Sequence, residues 1–297
     1  MASALSDDGA FAVPTRPETK SRVGHLMPEL PEIETIVRGL GPALRARRIE
    51  RVTVRDGRLR VPLAPDFAAR LTGRRFVGMQ RHGKFILAPL DDGRLWLVHL
   101  GMSGRLTLGH PERTEMRHDH VVLRLDDGRL LTYNDPRRFG RLAVIMPDKV
   151  AVETVPGVDA LSARLTPDFL HASTRRHRRT TVKALLMDQR EIAGLGNIYV
   201  NEILFQAGVR PRRRAGRLTR AESARLVEAT RAVLARAIAR GGSSISDYRD
   251  GFERIGSYQD EHQVYGRAGE PCPRCGTAVR SCIVTGRSTF YCPRCQR

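Results

Sequence analysis

Two groups of residues in this chain could do chemistry, and they lie at opposite ends of it. Met27-Pro28-Glu29-Leu30-Pro31-Glu32 sets a proline directly after a methionine, with carboxylates just beyond. A start methionine followed by a small residue is usually trimmed, and a proline left at the terminus carries a secondary amine. That amine can attack a sugar carbon and form an imine, whereas inside a chain the same nitrogen is a tertiary amide and no nucleophile. Since 26 residues precede Met27, the amine chemistry requires that they be missing from the acting form. The plain alternative is a proline that opens a helix. At the far end, Cys272-Pro273-Arg274-Cys275 and Cys292-Pro293-Arg294-Cys295 form two Cys-x2-Cys knuckles with sixteen residues between them. Four thiolates so spaced suit one tetrahedral zinc ion with no open position, a structural site. The metal would supply most of the folding energy of so small a module. Cys282 lies outside the spacing and reads as a small buried apolar residue.

Elements must position these groups. Pro31 followed by Ile33, Ile36, Val37, Leu40 and Leu44 predicts a helix ending near Arg45. From Arg48 to Ile145 the chain changes to short apolar runs such as Phe85-Ile86-Leu87, Leu95–Val98 and Val121-Val122-Leu123. Turns at Asp56-Gly57, Thr72-Gly73, Asp91–Gly93 and Asp126–Gly128 cut these runs into strands and hairpins, which suggests a sandwich or barrel. After Pro156 helical spacing returns over Thr180–Met187, Ile198–Phe205 and Arg220–Arg240, the last stopped by Gly241-Gly242. Asn197 opens a helix after two glycines, where free N–H groups and the helix dipole attract a phosphate. A Gly-rich, flexible-looking stretch covers Ser243 to Ser257. Near the end, Ile283-Val284 and Thr289-Phe290-Tyr291 read as two strands with Thr285–Ser288 at the tip. Arg287 there is either a groove-reaching guanidinium or a solvated one.

Composition narrows the partners. The net charge is +19, carried mostly by arginines spread in several runs, which points to nucleic acid. No stretch is apolar enough to span a membrane, and the first 26 residues lack the apolar segment of a secretion signal. Five cysteines in this pattern are no disulfide framework. The chain is expected in the cytoplasm.

Taken in order, Pro28–Glu32, Gly83-Lys84, His99–Gly104, Asn134–Gly140, Gly194–Tyr199 and the two knuckles resemble the formamidopyrimidine-DNA glycosylase family. The resemblance runs from Pro28 to the end, and at Leu30 and Met102 it follows the purine branch rather than the endonuclease VIII branch. It implies an α+β multidomain chain: an N-terminal two-layer β-sandwich with a flanking helix (27–157), a helix–two-turn–helix domain (158–257) and a zinc-finger β-hairpin (258–297). Residues 1–26 are expected to be a disordered extension, from a mis-set start or as a removable leader. The implied activity is excision of 8-oxoguanine and formamidopyrimidines from duplex DNA, then β,δ-elimination at the abasic site, by a bacterial monomer with one zinc ion. The rivals are a non-catalytic lesion binder, if the extension is retained, and a pyrimidine-lesion glycosylase.

The resemblance also assigns roles. Pro28 is the nucleophile, and Glu29 gives a proton to the sugar ring oxygen, unless it merely suits a helix dipole. Lys84, Lys183, Asn197 and Arg287 approach phosphates. Met102, Arg137 and Phe139 fill the void left by an extruded base, unless they are core and surface residues. Glu32 is a second pocket carboxylate or only a cap, and Glu202 is a further pocket candidate. Gly157–Leu161 lacks the proline usual at the domain junction, which leaves the hinge geometry open. Lesion specificity is expected in a loop within Ile245–Gln263.

Overall fold

The structure, a computed structural model, describes residues 27–245 and 248–297. The extension expected over residues 1–26 lies outside the described residues, as do Ser246 and Asp247 of the expected specificity loop.

Helix α1 (Leu30–Leu44) forms where the apolar spacing predicts it. Pro31 occupies its first turn, where a missing N–H matters least. Ile33, Ile36, Leu40 and Leu44 line one face and are fully buried, each contributing about 1.5–3 kcal/mol. The helix stops at Arg45, whose ψ of 130° is extended. There follow β1 (Ile49–Val54), α2 (Phe67–Leu71), β2 (Gln80–His82), β3 (Phe85–Pro89), β4 (Leu95–His99), β5 (Arg105–Gly109), β6 (Asp119–Leu125), β7 (Leu130–Asn134) and β8 (Arg141–Ile145). The strands make two four-stranded antiparallel sheets, ordered β1-β6-β7-β5 and β2-β3-β4-β8. Ile86, Trp96 and Val98 of one sheet and Leu106, Val121 and Leu131 of the other share a core with α1. The Asp-Gly turns after β3 and β6 are the expected hairpins, whereas Thr72-Gly73 ends the short helix α2.

Beyond the sandwich come α3 (Val150–Glu153), β9 (Val158–Asp159), α4 (Pro167–Arg176), α5 (Val182–Met187), β10 (Ile192–Ala193), α6 (Asn197–Ala207) and α7 (Arg220–Ala239). Helix α4 is absent from the sequence reading, although its cap is in plain view: the Thr166 hydroxyl accepts the Phe169 N–H at 3.1 Å and Pro167 follows. Helix α7 starts in a Thr219–Glu222 capping box, and the expected glycine stop follows it, Gly241 and Gly242 having φ of 73° and 82°. Among the described residues no helix is long and apolar enough to cross a membrane.

The domain junction is closed by pairing and charge. β9 pairs in parallel with β10, and Asp159 accepts hydrogen bonds from Arg81 and from Gly83 N–H. Arg81, almost fully buried, also binds Glu34 of α1 at 2.8 Å, so one guanidinium ties the helical domain to the sandwich. The Gly-rich stretch after α7 returns to the sandwich as a strap. Tyr248 donates to the Glu32 carbonyl at 3.1 Å, and Leu108 N–H donates to Gly251 O at 2.8 Å. Finally β11 (Arg280–Val284) and β12 (Arg287–Tyr291) pair across a two-residue turn, Thr285-Gly286, with both φ positive. Arg287 therefore opens a strand rather than sitting in the turn.

Candidate active site

The start of α1 is buried between the two domains. Leu30 N–H donates to Gly194 O at 3.1 Å, and Leu30 packs in the core of the helical domain rather than that of the sandwich. The Glu29 carboxylate lies against the N-terminus of α6, accepting Ile198 N–H at 2.9 Å and Tyr199 N–H at 3.5 Å. A Cβ on Gly196 would stand 2.3 Å from the Glu29 carboxyl carbon, so the glycine makes this approach possible. This corrects the expectation of a phosphate at the start of α6. Two of its N–H groups, those of Ile198 and Tyr199, are taken by a carboxylate from the other domain.

Glu29 lines a cavity of about 290 Å³ together with Met27, Lys84, His99, Asn197 and Arg287. Burial pushes the Glu29 carboxyl above its ordinary range, while Lys84 and the α6 amides pull the other way. Burial lowers Lys84 as well, opposed by Glu29 and Glu32 and aided by Arg287. His99 is brought down to about 4 by burial and by nearby Lys84, Arg60 and Arg141, so its ring is neutral near pH 7. Its Nδ1 accepts Gly101 N–H at 3.2 Å. The sequence reading holds His99 only as one letter of a motif; its cue is the strand-end position beside Gly101.

Met27, His99 and Arg287 also border a second recess of about 650 Å³, whose other wall holds Met102, Arg137 and Phe139. Arg137 stacks on the Phe139 ring at 4.8 Å, and Phe139 remains 40% exposed. The two tips that carry these residues hang on one buried carboxylate. Asp135 accepts Ser103 Oγ at 2.6 Å, Gly140 N–H at 2.8 Å and Tyr133 OH at 3.1 Å. Much of both motifs is therefore scaffold. Replacing Asp135 by Ala leaves these donors unpaired and is expected to destabilise the fold by about 2–3 kcal/mol. A thermal melt checks this, and an unchanged midpoint would refute the anchoring role.

Other expected site residues lie elsewhere. Lys183 is fully buried, its Nζ donating to Asn197 Oδ1 at 2.6 Å, Ser288 O at 2.9 Å and Thr289 Oγ1 at 2.7 Å. With three acceptors and no exposure it cannot touch a phosphate directly, and burial brings it down to about 7. It holds Asn197, which does line the cavity, against the hairpin. Glu32 faces inward, accepting Glu29 N–H at 2.9 Å, Ser243 N–H at 2.7 Å and the Tyr199 hydroxyl. Burial and Glu29 push it to about 7. The capping role holds, and Glu32 does not line the cavity. Glu202 accepts the N–H groups of Gln263, Val264 and Tyr265 at 2.8–3.0 Å, anchoring the entry to the last module.

In that module the Sγ atoms of Cys272, Cys275, Cys292 and Cys295 all lie within 4.8 Å of one another. The Cys275–Cys292 and Cys272–Cys295 separations, 3.5 and 3.9 Å, match the roughly 3.8 Å edge of a tetrahedron with Zn–S near 2.3 Å. Four thiolates with no water position fit one structural zinc ion. Cys282 stands outside the cluster and is half-buried, not the fully buried residue expected. Stripping the zinc is expected to collapse the hairpin, take Arg287 from the cavity and weaken lesion-DNA binding about 10–100-fold. Circular dichroism with a gel shift would check this; metal-free protein with full affinity would overturn it.

Comparison with known proteins agrees with this geometry. Residues 27–142 match the model of the formamidopyrimidine-DNA glycosylase N-terminal domain, and 157–249 that of its H2TH domain. Residues 269–297 match the zinc finger found in FPG and IleRS. Formamidopyrimidine-DNA glycosylase of Chloroflexus aggregans is 46% identical over 272 residues, 91% of this chain and 98% of that protein. A Cereibacter sphaeroides protein of the same name is 45% identical, covering 91% of this chain and 100% of its own. The crystal structure of MutM (Fpg) from Thermus thermophilus superposes with a TM-score of 0.80 at 40% identity, over 91% of this chain and 98% of that one. Lactococcus lactis Fpg in complex with DNA containing an abasic site gives 0.83 at 31% identity, over 91% and 99%.

Proposed function

This chain belongs to the formamidopyrimidine-DNA glycosylase family, and on that premise we infer that it excises 8-oxoguanine and formamidopyrimidines from duplex DNA and cuts the strand at the resulting abasic site. It is a DNA glycosylase of base-excision repair. Structures of its Lactococcus lactis relative hold DNA with Fapy-dG or an abasic site, which supports those substrates here. Residues 27–157, 158–257 and 258–297 are taken as the working units, and 1–26 as dispensable, in a bacterial cytoplasmic enzyme.

The observation that carries the reading is the meeting of Glu29, Lys84, Asn197 and Arg287 around one cavity, with Arg137 and Phe139 across the adjoining recess. In the proposed reaction a Pro28 amine attacks C1′, and the base departs with the bonding electron pair and takes up a proton. Glu29, whose pKa burial raises, gives its proton to O4′ as the ring opens, leaving an iminium between C1′ and Pro28. The cationic nitrogen draws electrons as the C2′ proton is lost, so the 3′ phosphate leaves by β-elimination and the 5′ phosphate follows by δ-elimination. Lys84 and Arg287 hold phosphate oxygens, and the Met102, Arg137 and Phe139 tips occupy the gap in the stack. Zinc supplies no chemistry; it fixes the hairpin.

Excision rates on 8-oxoguanine and thymine glycol duplexes test the substrate. Faster release of thymine glycol would overturn the purine assignment. A second reading follows from the 26 residues that precede Met27: with them attached the Pro28 nitrogen is an amide, and the protein grips lesion duplexes without cutting.

A further inference from the structure

We propose that Arg178, Arg179, Arg212 and Arg217 form a second phosphate-binding track, which grips the duplex backbone on one flank of the lesion; the proposal rests on the glycosylase reading above. Two arginine-rich segments fold together here, residues 175–179 at the end of α4 and just past it, and 210–217 after α6. Val182 N–H donates to Arg213 O at 2.9 Å, Ala215 N–H to Thr180 O at 2.9 Å, and Gly216 N–H to Arg178 O at 3.2 Å.

Elsewhere arginines are mostly neutralised by a nearby acid, as in Arg58–Asp56, Arg70–Asp66, Arg94–Asp92 and Arg129–Asp127. Around the two segments such pairs are fewer: Arg176 meets Glu191 and Arg213 meets Glu222. Neither 175–187 nor 203–221 contains an acidic residue. The arginines there divide into two kinds. Arg175 bonds Gly216 O at 2.7 Å and Leu218 O at 3.1 Å, and Arg213 pairs with Glu222, so these build the frame. Arg178, Arg179, Arg212 and Arg217 are exposed and have no carboxylate partner among the described residues. Like charges held together on a rigid frame repel each other, and a polyanion relieves the repulsion.

The frame leaves two openings. One of about 380 Å³ is bordered by Arg210, Arg212, Tyr291 and Arg297, and one of about 530 Å³ by Arg178, Arg179, Arg214 and Arg217. Strand β12 links the first to the cavity. Arg287, Thr289 and Tyr291 share a face of that strand, and the Arg210 guanidinium lies over the Tyr291 ring at 5.5 Å. From Arg287 to Tyr291 the strand rises about 13 Å. One DNA strand advances about 3.4 Å per nucleotide, so the track begins roughly four nucleotides from the Arg287 contact. The two segments then extend the row of cations further outward.

The test is the salt dependence of binding to duplexes with a tetrahydrofuran abasic analogue at the centre, one of about 10 and one of about 25 base pairs. If the track takes two to four phosphates, the slope of log K against log salt should be steeper on the longer duplex by about 2–4. The R178A/R179A/R212A/R217A chain should lose that excess slope and about 10–100-fold of affinity on the longer duplex alone. Arg→Lys at the same four positions should restore most of both. Equal slopes on both duplexes for the unaltered chain, or equal loss on both for the Ala variant, overturn the track. So does a variant that keeps its DNA slope but loses binding to single-stranded RNA or an acidic peptide. No preference of the unaltered chain for lesion duplex would overturn the glycosylase reading itself, a result distinct from unchanged slopes.

Discussion

A chain that begins at Pro28 is expected to be trapped by borohydride on an abasic-site duplex, and a chain that keeps residues 1–27 to give no adduct. Imine formation needs a lone pair on the proline nitrogen, and a preceding peptide bond removes it. The structure adds a steric reason. Met27 lines both the cavity beside Glu29 and the recess beside Arg137, so a retained residue stands where the sugar and base would enter. Loss of a nucleophile costs enzymes many orders of magnitude, and a fall of about 10³-fold or more in adduct yield is expected. Lesion-duplex binding need not fall in parallel, because Arg287 and the Arg137–Phe139 tip do not depend on the amine. Equal adduct yields from both chains would remove Pro28 from the mechanism. The intact mass of protein expressed from its own gene shows which form a cell makes.

Glu29→Gln, in the chain that begins at Pro28, is expected to slow base excision by about 10²–10⁴-fold while leaving the melting temperature unchanged or higher. The amide is nearly isosteric with the protonated carboxyl and its oxygen can still accept the Ile198 N–H, so the fold loses little. What an amide cannot do is release a proton to O4′. The sign of the pH dependence follows from the same group. The working form in this reading is protonated, and burial raises its pKa, so excision holds on the acid side of the raised pKa and falls as pH climbs through it. Lys84 is the largest influence opposing that rise. Lys84→Met should therefore move the alkaline limb to higher pH, whatever it does to the maximal rate. A Glu29→Gln variant within tenfold of the unaltered rate, or an alkaline limb that moves down in the Lys84 variant, would refute Glu29 as the acid.

Much of this was legible in the sequence where the cause is local. Helix α1, the Asp-Gly hairpins and the zinc knuckles follow from spacing within a few residues. What escaped was set by partners far along the chain. Lys183 sits in a short helical run and is assigned a phosphate by the resemblance, yet its acceptors Ser288 and Thr289 are more than a hundred residues away. Glu29 reads as an acid near its own helix, while the amides it meets begin at Ile198. Nothing near Gly196 announces that its missing side chain makes room for a carboxylate from the other domain. Asp135 is legible as part of a motif, but its task of holding two tips required the pairing of β7 with β5 to bring Ser103 close.

The seat of Glu29 makes the acid an interlock. The carboxylate belongs to one domain, and the amides it accepts belong to the other. Any parting of the domains lets solvent in and withdraws the burial that raises its pKa. The group then relaxes toward an ordinary glutamate and is ionised at neutral pH. If Glu29 is the acid, a chain gripping DNA with its halves ajar holds it less able to carry a proton, whatever base it has reached, and closure favours the protonated form. Commitment to cutting is checked by shape before it is checked by chemistry.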